Sequence, residues 1–235
     1  SISHHSLGRA MNARELSELF ARVEELGVHN LNLVTPSHFA PVIFEALRLR
    51  RPGIPVVWNS SGYETVELVE AAARFVDVFL PDLKYFSAET AQHLAGAPDY
   101  FPVAMAAIRA MCQAKGAPVY DADGLMQSGT LVRHLILPLR TSESLRILDA
   151  IAEELPSGTP VSLMRQYTPM NGVNLPGLDR RLTAREYARV RDYMLALGLE
   201  GYLQSRESAD SAFTPAFMDG ESTRLFPSER ADAEN

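Results

Sequence analysis

The chain has 235 residues, 46% of them hydrophobic, enough for one large domain or two small ones around a buried core. Its formal net charge of -7, from 22 basic and 29 acidic residues, excludes broad binding along a nucleic-acid backbone and leaves room only for a local basic pocket. Its single cysteine, Cys112, excludes an internal disulfide and fits a reducing cytoplasm. No apolar run approaches the roughly 20 residues of a membrane helix. The opening "SISHHSLGRAM" has no apolar signal core, and His4 and His5 within it read as solvated. The expectation is a cytoplasmic protein with neither membrane nor nucleic acid as partner.

Taken in chain order, Asn12 and Glu15 make a capping box before "LSELFARVEELG", a helix that Gly27 ends. "HNLNLVTP" is a strand rising to Pro36. Pro41 opens the helix "VIFEALRLRR", and Pro52-Gly53 stops it. "IPVVWNSSG" and "VDVFLPDLKY" are the next strands. "MAAIRAMCQAKG" reads as a helix that holds Cys112 as a structural thiol, with Met105 and Met111 as packing residues. Lys115 to Gly129 is a surface loop or short ribbon. "TLVRHLILP" and "PVSLMRQYTP" are two further strands. Tyr167 to Leu182 forms a long loop with an arginine pair, of the kind that carries function. Thr183 and Glu186 form a second capping box before "YARVRDYMLALG", and "EGYLQS" is the last strand. The division expected is residues 1–205 as one domain and residues 206–235 as a polar C-terminal extension, its end disordered.

Strands alternating with helices imply a parallel sheet with crossover helices. The strands containing Leu33, Val57, Phe79, Leu135 and Leu163 are expected to be parallel, in sequential order, in one sheet. Ligands in such folds sit at the carboxyl ends of the strands. Those ends carry Thr35, then Asn59 and Ser60, then Asp82 and Lys84, then Arg133 and His134, then Arg165 and Gln166. Asp82 and Lys84 are two positions apart and share one side of an extended chain. Singly, each group has an ordinary explanation: a strand-end ion pair, a turn, a core histidine. Together they line a shared pocket. Hydroxyl and amide groups suit sugar hydroxyls, Lys84 and Arg133 suit a carboxylate or phosphate, and Asp82 suits an ammonium or a ribose diol. There is no glycine-rich phosphate loop to cradle ATP or a dinucleotide.

The stretches "HNLNLVTPSHFAPVIFEAL", "IPVVWNSSGYETVE", "VDVFLPDLKY", "APDYF", "LVRHLILP", "VSLMRQYTP" and "LTAREY" occur in an order that resembles the radical SAM proteins related to pyruvate formate-lyase activating enzymes. The resemblance implies an α/β fold, a partial TIM-like (β/α)6 barrel, whose mouth binds S-adenosylmethionine beside a [4Fe-4S] cluster. It implies reductive cleavage of that cofactor to a deoxyadenosyl radical, with a glycyl radical enzyme or another protein as substrate and flavodoxin or ferredoxin as electron donor. It places Lys84 toward the methionine carboxylate, Asn59 and Ser60 near the ribose or a cation, and Asp82 in the matching Asp-Leu-Lys stretch. Arg133 falls on a barrel strand, and Gln166 stands where relatives carry a histidine; Val34-Thr35-Pro36 matches the stretch that faces the methionine amine, a contact that here comes from backbone carbonyls or Thr35. The family's Cys-x3-Cys-x2-Cys motif has no counterpart here. The expectation is therefore a truncated form without its first strand, unable to bind a cluster as given. Two other readings stay open: a Schiff-base aldolase using Lys84, and a cluster-less ligand-binding or scaffold domain.

Overall fold

The structure, a computed structural model, describes residues 9–169 and 177–203. The readings made for His4, His5, the middle of the Tyr167–Leu182 loop and the extension 206–235 fall outside them.

Helices and strands alternate along the chain. They are α1 (Ala13–Glu25), β1 (Leu31–Val34), α2 (Ala40–Leu49), β2 (Val56–Ser60), α3 (Val66–Ala72), β3 (Val78–Pro81), α4 (Ala88–Ala95), α5 (Tyr100–Lys115), β4 (Val119–Tyr120), β5 (Met126–Thr130), β6 (Val132–Leu135), α6 (Thr141–Glu154), β7 (Val161–Met164), α7 (Ala184–Ala196) and β8 (Gly201–Leu203). Both capping boxes form. Asn12 with Glu15 starts α1, and Thr183 with Glu186 starts α7. Pro41 lies in the first turn of α2, where its missing N–H costs nothing.

The strands expected to be parallel and sequential are so, and their carboxyl ends share one rim. The expectation of a single sheet needs correction: the ladders divide into β1-β2-β3-β5-β4 and β6-β7-β8. The cause lies at Leu131. The stretch from Met126 to Leu135 is extended throughout but changes neighbours on one flank. β4 folds back as an antiparallel hairpin against β5, and β7 takes the same flank of β6. The Lys115–Gly129 segment is thus the short ribbon and not a loop. On the other flank the register to β3 never shifts. Val78 faces Gly129, Phe79 faces Thr130, and Asp82 faces Arg133 in an isolated parallel bridge. The Leu131 N–H donates to the Phe79 carbonyl at 2.9 Å, and the Leu83 N–H donates to the Arg133 carbonyl at 2.8 Å. Among the described residues β1 and β8 are not paired with each other, so the parallel array is open.

Helix α5 contributes to two hydrophobic clusters. Ala107 and Met111 join Phe44, Trp58 and Phe79 on one side. Ala104, Met105, Ile108 and Cys112 join Ile136, Ile147, Leu148 and Leu163 on the other. Each fully buried large aliphatic side chain stabilises the fold by about 1.5–3 kcal/mol, so α5 fixes the sheet from behind. Met105, Met111 and Cys112 are packing residues, and burial pushes the Cys112 thiol pKa up. No helix among the described residues is long and apolar enough to cross a membrane.

Candidate functional site

Parallel pairing in constant register brings the ends of β2, β3 and β6 side by side, and with them Asn59, Asp82 and Arg133. The Arg133 guanidinium donates from Nη2 to Asn59 Oδ1 at 2.7 Å. The same Nη2 lies 2.7 Å from Asp82 Oδ1, and Lys84 Nζ lies 3.3 Å from Asp82 Oδ2. The side chains are 14% exposed at Asp82, 24% at Arg133 and 37% at Lys84, so the carboxylate lies beneath two cations that open toward solvent. The contact between Asp82 and Arg133 is one of charge. Asp82 Oδ1 and Arg133 Nε are buried and lack an aligned hydrogen-bond partner. Two cations around one anion leave the cluster with a net positive charge.

The loop after β2 is tied down from three directions. Gly62 has φ +76°, and a Cβ there would come within 2.2 Å of the Asp82 carbonyl oxygen. Only glycine lets the two chain segments touch. Tyr100, at the start of α5, supplies a second tie. Its hydroxyl accepts from the Lys84 N–H at 3.0 Å and lies 2.8 Å from both the Ser61 and the Asp82 carbonyl oxygens. It can donate its one proton to either. Burial pushes the Tyr100 pKa far up, so the group is a neutral strut.

Glu64 is the third tie. The residue is 5% exposed. It accepts from Trp58 Nε1 at 2.9 Å, from Ser60 Oγ at 3.0 Å and from Ser37 Oγ. One buried carboxylate therefore joins the segment after β1 to β2 and its loop. Neither Glu64 nor Tyr100 stands out when the sequence is read for chemistry. The signals are present all the same: a tryptophan in a core strand needs an acceptor for its indole N–H, and a tyrosine at a helix start needs a partner for its hydroxyl.

Of the residues named from sequence, the structure brings Asn59, Asp82, Lys84 and Arg133 together. Asn59 and Ser60 are strand residues and not a turn; the turn falls at Ser61 and Gly62. Thr35 joins the group through its backbone, donating to the Asn59 carbonyl at 2.8 Å from a left-handed conformation with φ 52°. Ser60 Oγ is turned away, bonded to Glu64 and accepting from the Gly62 N–H at 3.2 Å. Gln166 is exposed and lines a separate concavity with Arg165, Tyr167 and Arg181. His38 is exposed. His134 is a core residue: Nδ1 donates to the Leu83 carbonyl at 2.7 Å, and Nε2 lies 2.9 Å from Ser144 Oγ. Burial holds the His134 pKa below the usual histidine range.

The fold is similar to that of solved radical SAM domains. A domain of pyruvate-formate lyase-activating enzyme from Bacteroides vulgatus superposes with a TM-score of 0.54, covering 75% of this chain and 98% of that domain at 14% identity. A radical SAM methyltransferase from Sphaerobacter thermophilus superposes with a TM-score of 0.60, covering 85% of this chain and 60% of that one at 15% identity. At such identities the likeness is one of fold alone. In sequence, an uncharacterized protein of Methanocaldococcus jannaschii is 28% identical over 179 residues, 74% of this chain and 48% of that protein. The chain thus spans about half the length of the curated relative it matches. No family model matches the sequence.

Among the described residues no group of three His, Cys, Asp or Glu side chains could hold a metal ion. Cys112 lies in the core, its Sγ 4.0 Å from Thr159 Oγ1. Thr159 precedes β7, so the thiol is at the end of the sheet opposite the rim. The residues present do not fit a thiolate-held cluster.

Proposed function

We propose that the rim binds S-adenosylmethionine and that this chain serves a radical SAM enzyme of the glycyl-radical-activating type. The supporting observation is the Asp82–Arg133–Asn59 assembly with Lys84 above it, at three adjacent carboxyl ends of a fold shared with radical SAM enzymes. The donor set fits an amphoteric ligand. Lys84 Nζ and the exposed part of the Arg133 guanidinium would hold a carboxylate. Asp82 would hold an ammonium, and the Asn59 amide and Thr35 backbone border the same space. When bound, the cofactor supplies a sulfonium with a reactive carbon–sulfur bond. The chain's own part is to orient the methionine end. This chain's residues do not supply the ligands of an iron–sulfur cluster. A glycyl radical enzyme as substrate and flavodoxin or ferredoxin as electron donor rest on the resemblance in sequence, and the cytoplasm as location rests on the single cysteine. The aldolase reading gains no support. Lys84 is paired with Asp82 and more than a third exposed, whereas a Schiff-base lysine is commonly activated by desolvation.

Titration calorimetry with S-adenosylmethionine tests the proposal. Lys84→Ala should weaken binding ten- to a hundredfold, about 1.5–3 kcal/mol, through loss of a charge-assisted contact. Lys84→Arg should restore only part, since a planar fork replaces a point charge. Equal binding by the wild-type chain and Lys84→Ala overturns the site; no binding by either overturns the proposal.

A further inference from the structure

Tyr63, Tyr85 and Tyr167 follow the carboxyl ends of β2, β3 and β7, and Tyr100 packs against the first two. Their hydroxyls differ in what they reach. Tyr63 donates to Asp99 at 2.9 Å, and Tyr167 donates to the Leu178 carbonyl at 2.8 Å. Tyr100 serves three backbone groups. Tyr85 differs from all three. Among the described residues its hydroxyl has no hydrogen-bond partner, and the oxygen reaches solvent. A tyrosine with a packed ring ordinarily finds a partner for its hydroxyl.

The ring itself is fixed. Tyr85 is half-buried and packs against the hydrophobic cluster that holds Ile136, Ile147 and Leu163. It meets the Tyr100 ring edge-on, with centroids 5.2 Å apart. A phenylalanine would fill that space equally well, so packing does not account for the oxygen. Its surroundings do. Tyr85 directly follows Lys84, and the neighbouring Tyr100 hydroxyl accepts from the Lys84 N–H at 3.0 Å. Burial pushes the Tyr85 pKa up, and Asp82 and then Tyr167 add to the rise. The hydroxyl is therefore a neutral donor lying within the field of the Asp82 carboxylate. Asp82 does not take its proton, since Oδ1 faces Arg133 and Oδ2 faces Lys84. A ligand carboxylate brings two oxygens with about four acceptor sites, more than one ammonium can fill. A hydroxyl next in the chain to that ammonium offers a further, charge-assisted bond.

We infer that Tyr85 is a specificity-determining residue of the rim, its hydroxyl donating to the ligand carboxylate that Lys84 holds. The inference rests on the rim as the S-adenosylmethionine site, and it adds a reason for selecting a carboxylate-bearing ligand there.

Titration calorimetry of the wild-type chain, Tyr85→Phe and Lys84→Ala tests it, with S-adenosylmethionine in one arm and decarboxylated S-adenosylmethionine in the other. The two ligands differ only in the carboxylate. Tyr85→Phe should weaken S-adenosylmethionine about three- to tenfold and leave the decarboxylated ligand unchanged. Its urea midpoint should equal that of the wild-type chain, because the ring stays and the hydroxyl bonds nothing in the fold. The inference is overturned by unchanged affinity of Tyr85→Phe for S-adenosylmethionine, by equal weakening toward both ligands, or by a lowered urea midpoint. Any of these leaves the first proposal standing as long as Lys84→Ala weakens S-adenosylmethionine. No binding by the wild-type chain overturns both.

Discussion

Asp82 and Arg133 face each other across an isolated parallel bridge, and their side chains meet at 2.7 Å directly above it. The bridge lies where the strand pairing divides, since β5 ends at Thr130 and β6 begins at Val132. The ion pair therefore does two things at once. It keeps β6 in register with β3, and it builds the charged floor of the candidate site.

Removing Arg133 tests the structural half. Arg133→Leu leaves the Asp82 carboxylate largely buried, with only the more exposed Lys84 beside it. Breaking a fully buried pair costs about 3–5 kcal/mol, and the remaining lysine and partial exposure reduce this to about 1–3 kcal/mol. Urea unfolding of the wild-type chain, Arg133→Leu, Asp82→Asn and the double variant measures it. A double variant as costly as the sum of the singles would show that the two side chains are not coupled.

The fold is legible in the sequence because its signals are local and repeated. Capping residues, proline and glycine stops and short apolar runs set the helices and strands, and their alternation forces parallel pairing. The cluster of Asn59, Asp82, Lys84 and Arg133 is legible for the same reason, since strand ends of a parallel sheet share a rim. The ties beneath it are not. Glu64 lies four residues after Ser60 in sequence, but its bond to Ser37 spans 27 positions, and no local pattern reports which way a buried carboxylate turns. Tyr100 reaches Ser61 and Lys84 only because α5 packs behind β2 and β3. Its position after a strand groups Gln166 with the cluster in sequence. The chain beyond β7 instead turns it toward Arg165 and Arg181.

Gly62→Ala should disturb the rim more than an ordinary glycine substitution. The new Cβ would meet the Asp82 carbonyl oxygen at 2.2 Å, and the contact is with backbone on both sides, so no side chain can yield. The positive φ adds strain for any L residue. A loss of about 2 kcal/mol or more is expected, with amide shifts concentrated at Ser61, Asp82 and Lys84. Gly96→Ala is the control, because that glycine also has positive φ and a Cβ added there would meet nothing within 4 Å. Equal losses in the two variants would place the whole effect on φ and none on the close approach.

Tyr100→Phe removes one oxygen that serves three backbone groups. The Lys84 N–H and one of two carbonyl groups lose their partner in a buried setting, which costs about 1–3 kcal/mol. The aromatic contacts with Tyr63 and Tyr85 need only the ring and should persist. Hydrogen exchange gives the specific readout. The Lys84 amide should lose protection while amides at the far end of α5, near Met111, keep theirs. A uniform loss along α5 would mean that the hydroxyl supports the helix rather than the rim.

His134 sets a pH dependence whose sign follows from its burial. Nδ1 must carry a proton to donate to the Leu83 carbonyl, and neutral Nε2 accepts from the Ser144 hydroxyl. Burial disfavours a second proton, so the folded-state pKa lies below the unfolded value of about 6.5. As pH falls through 6.5 the unfolded chain takes up a proton that the folded chain refuses. The stability tied to neutral His134 is therefore complete above that pH and is lost below it, by at most about 1.4 kcal/mol per pH unit, until the folded pKa is reached. His134→Asn keeps an N–H for Leu83 and cannot titrate. Urea unfolding at pH 7.5 and pH 5.5 should show the wild-type chain losing more stability than His134→Asn between the two conditions. The remaining histidines are common to both proteins and cancel, and carboxylates titrate mostly below this window. An equal loss in both proteins would show that His134 accepts its second proton in the folded state as readily as in the unfolded one.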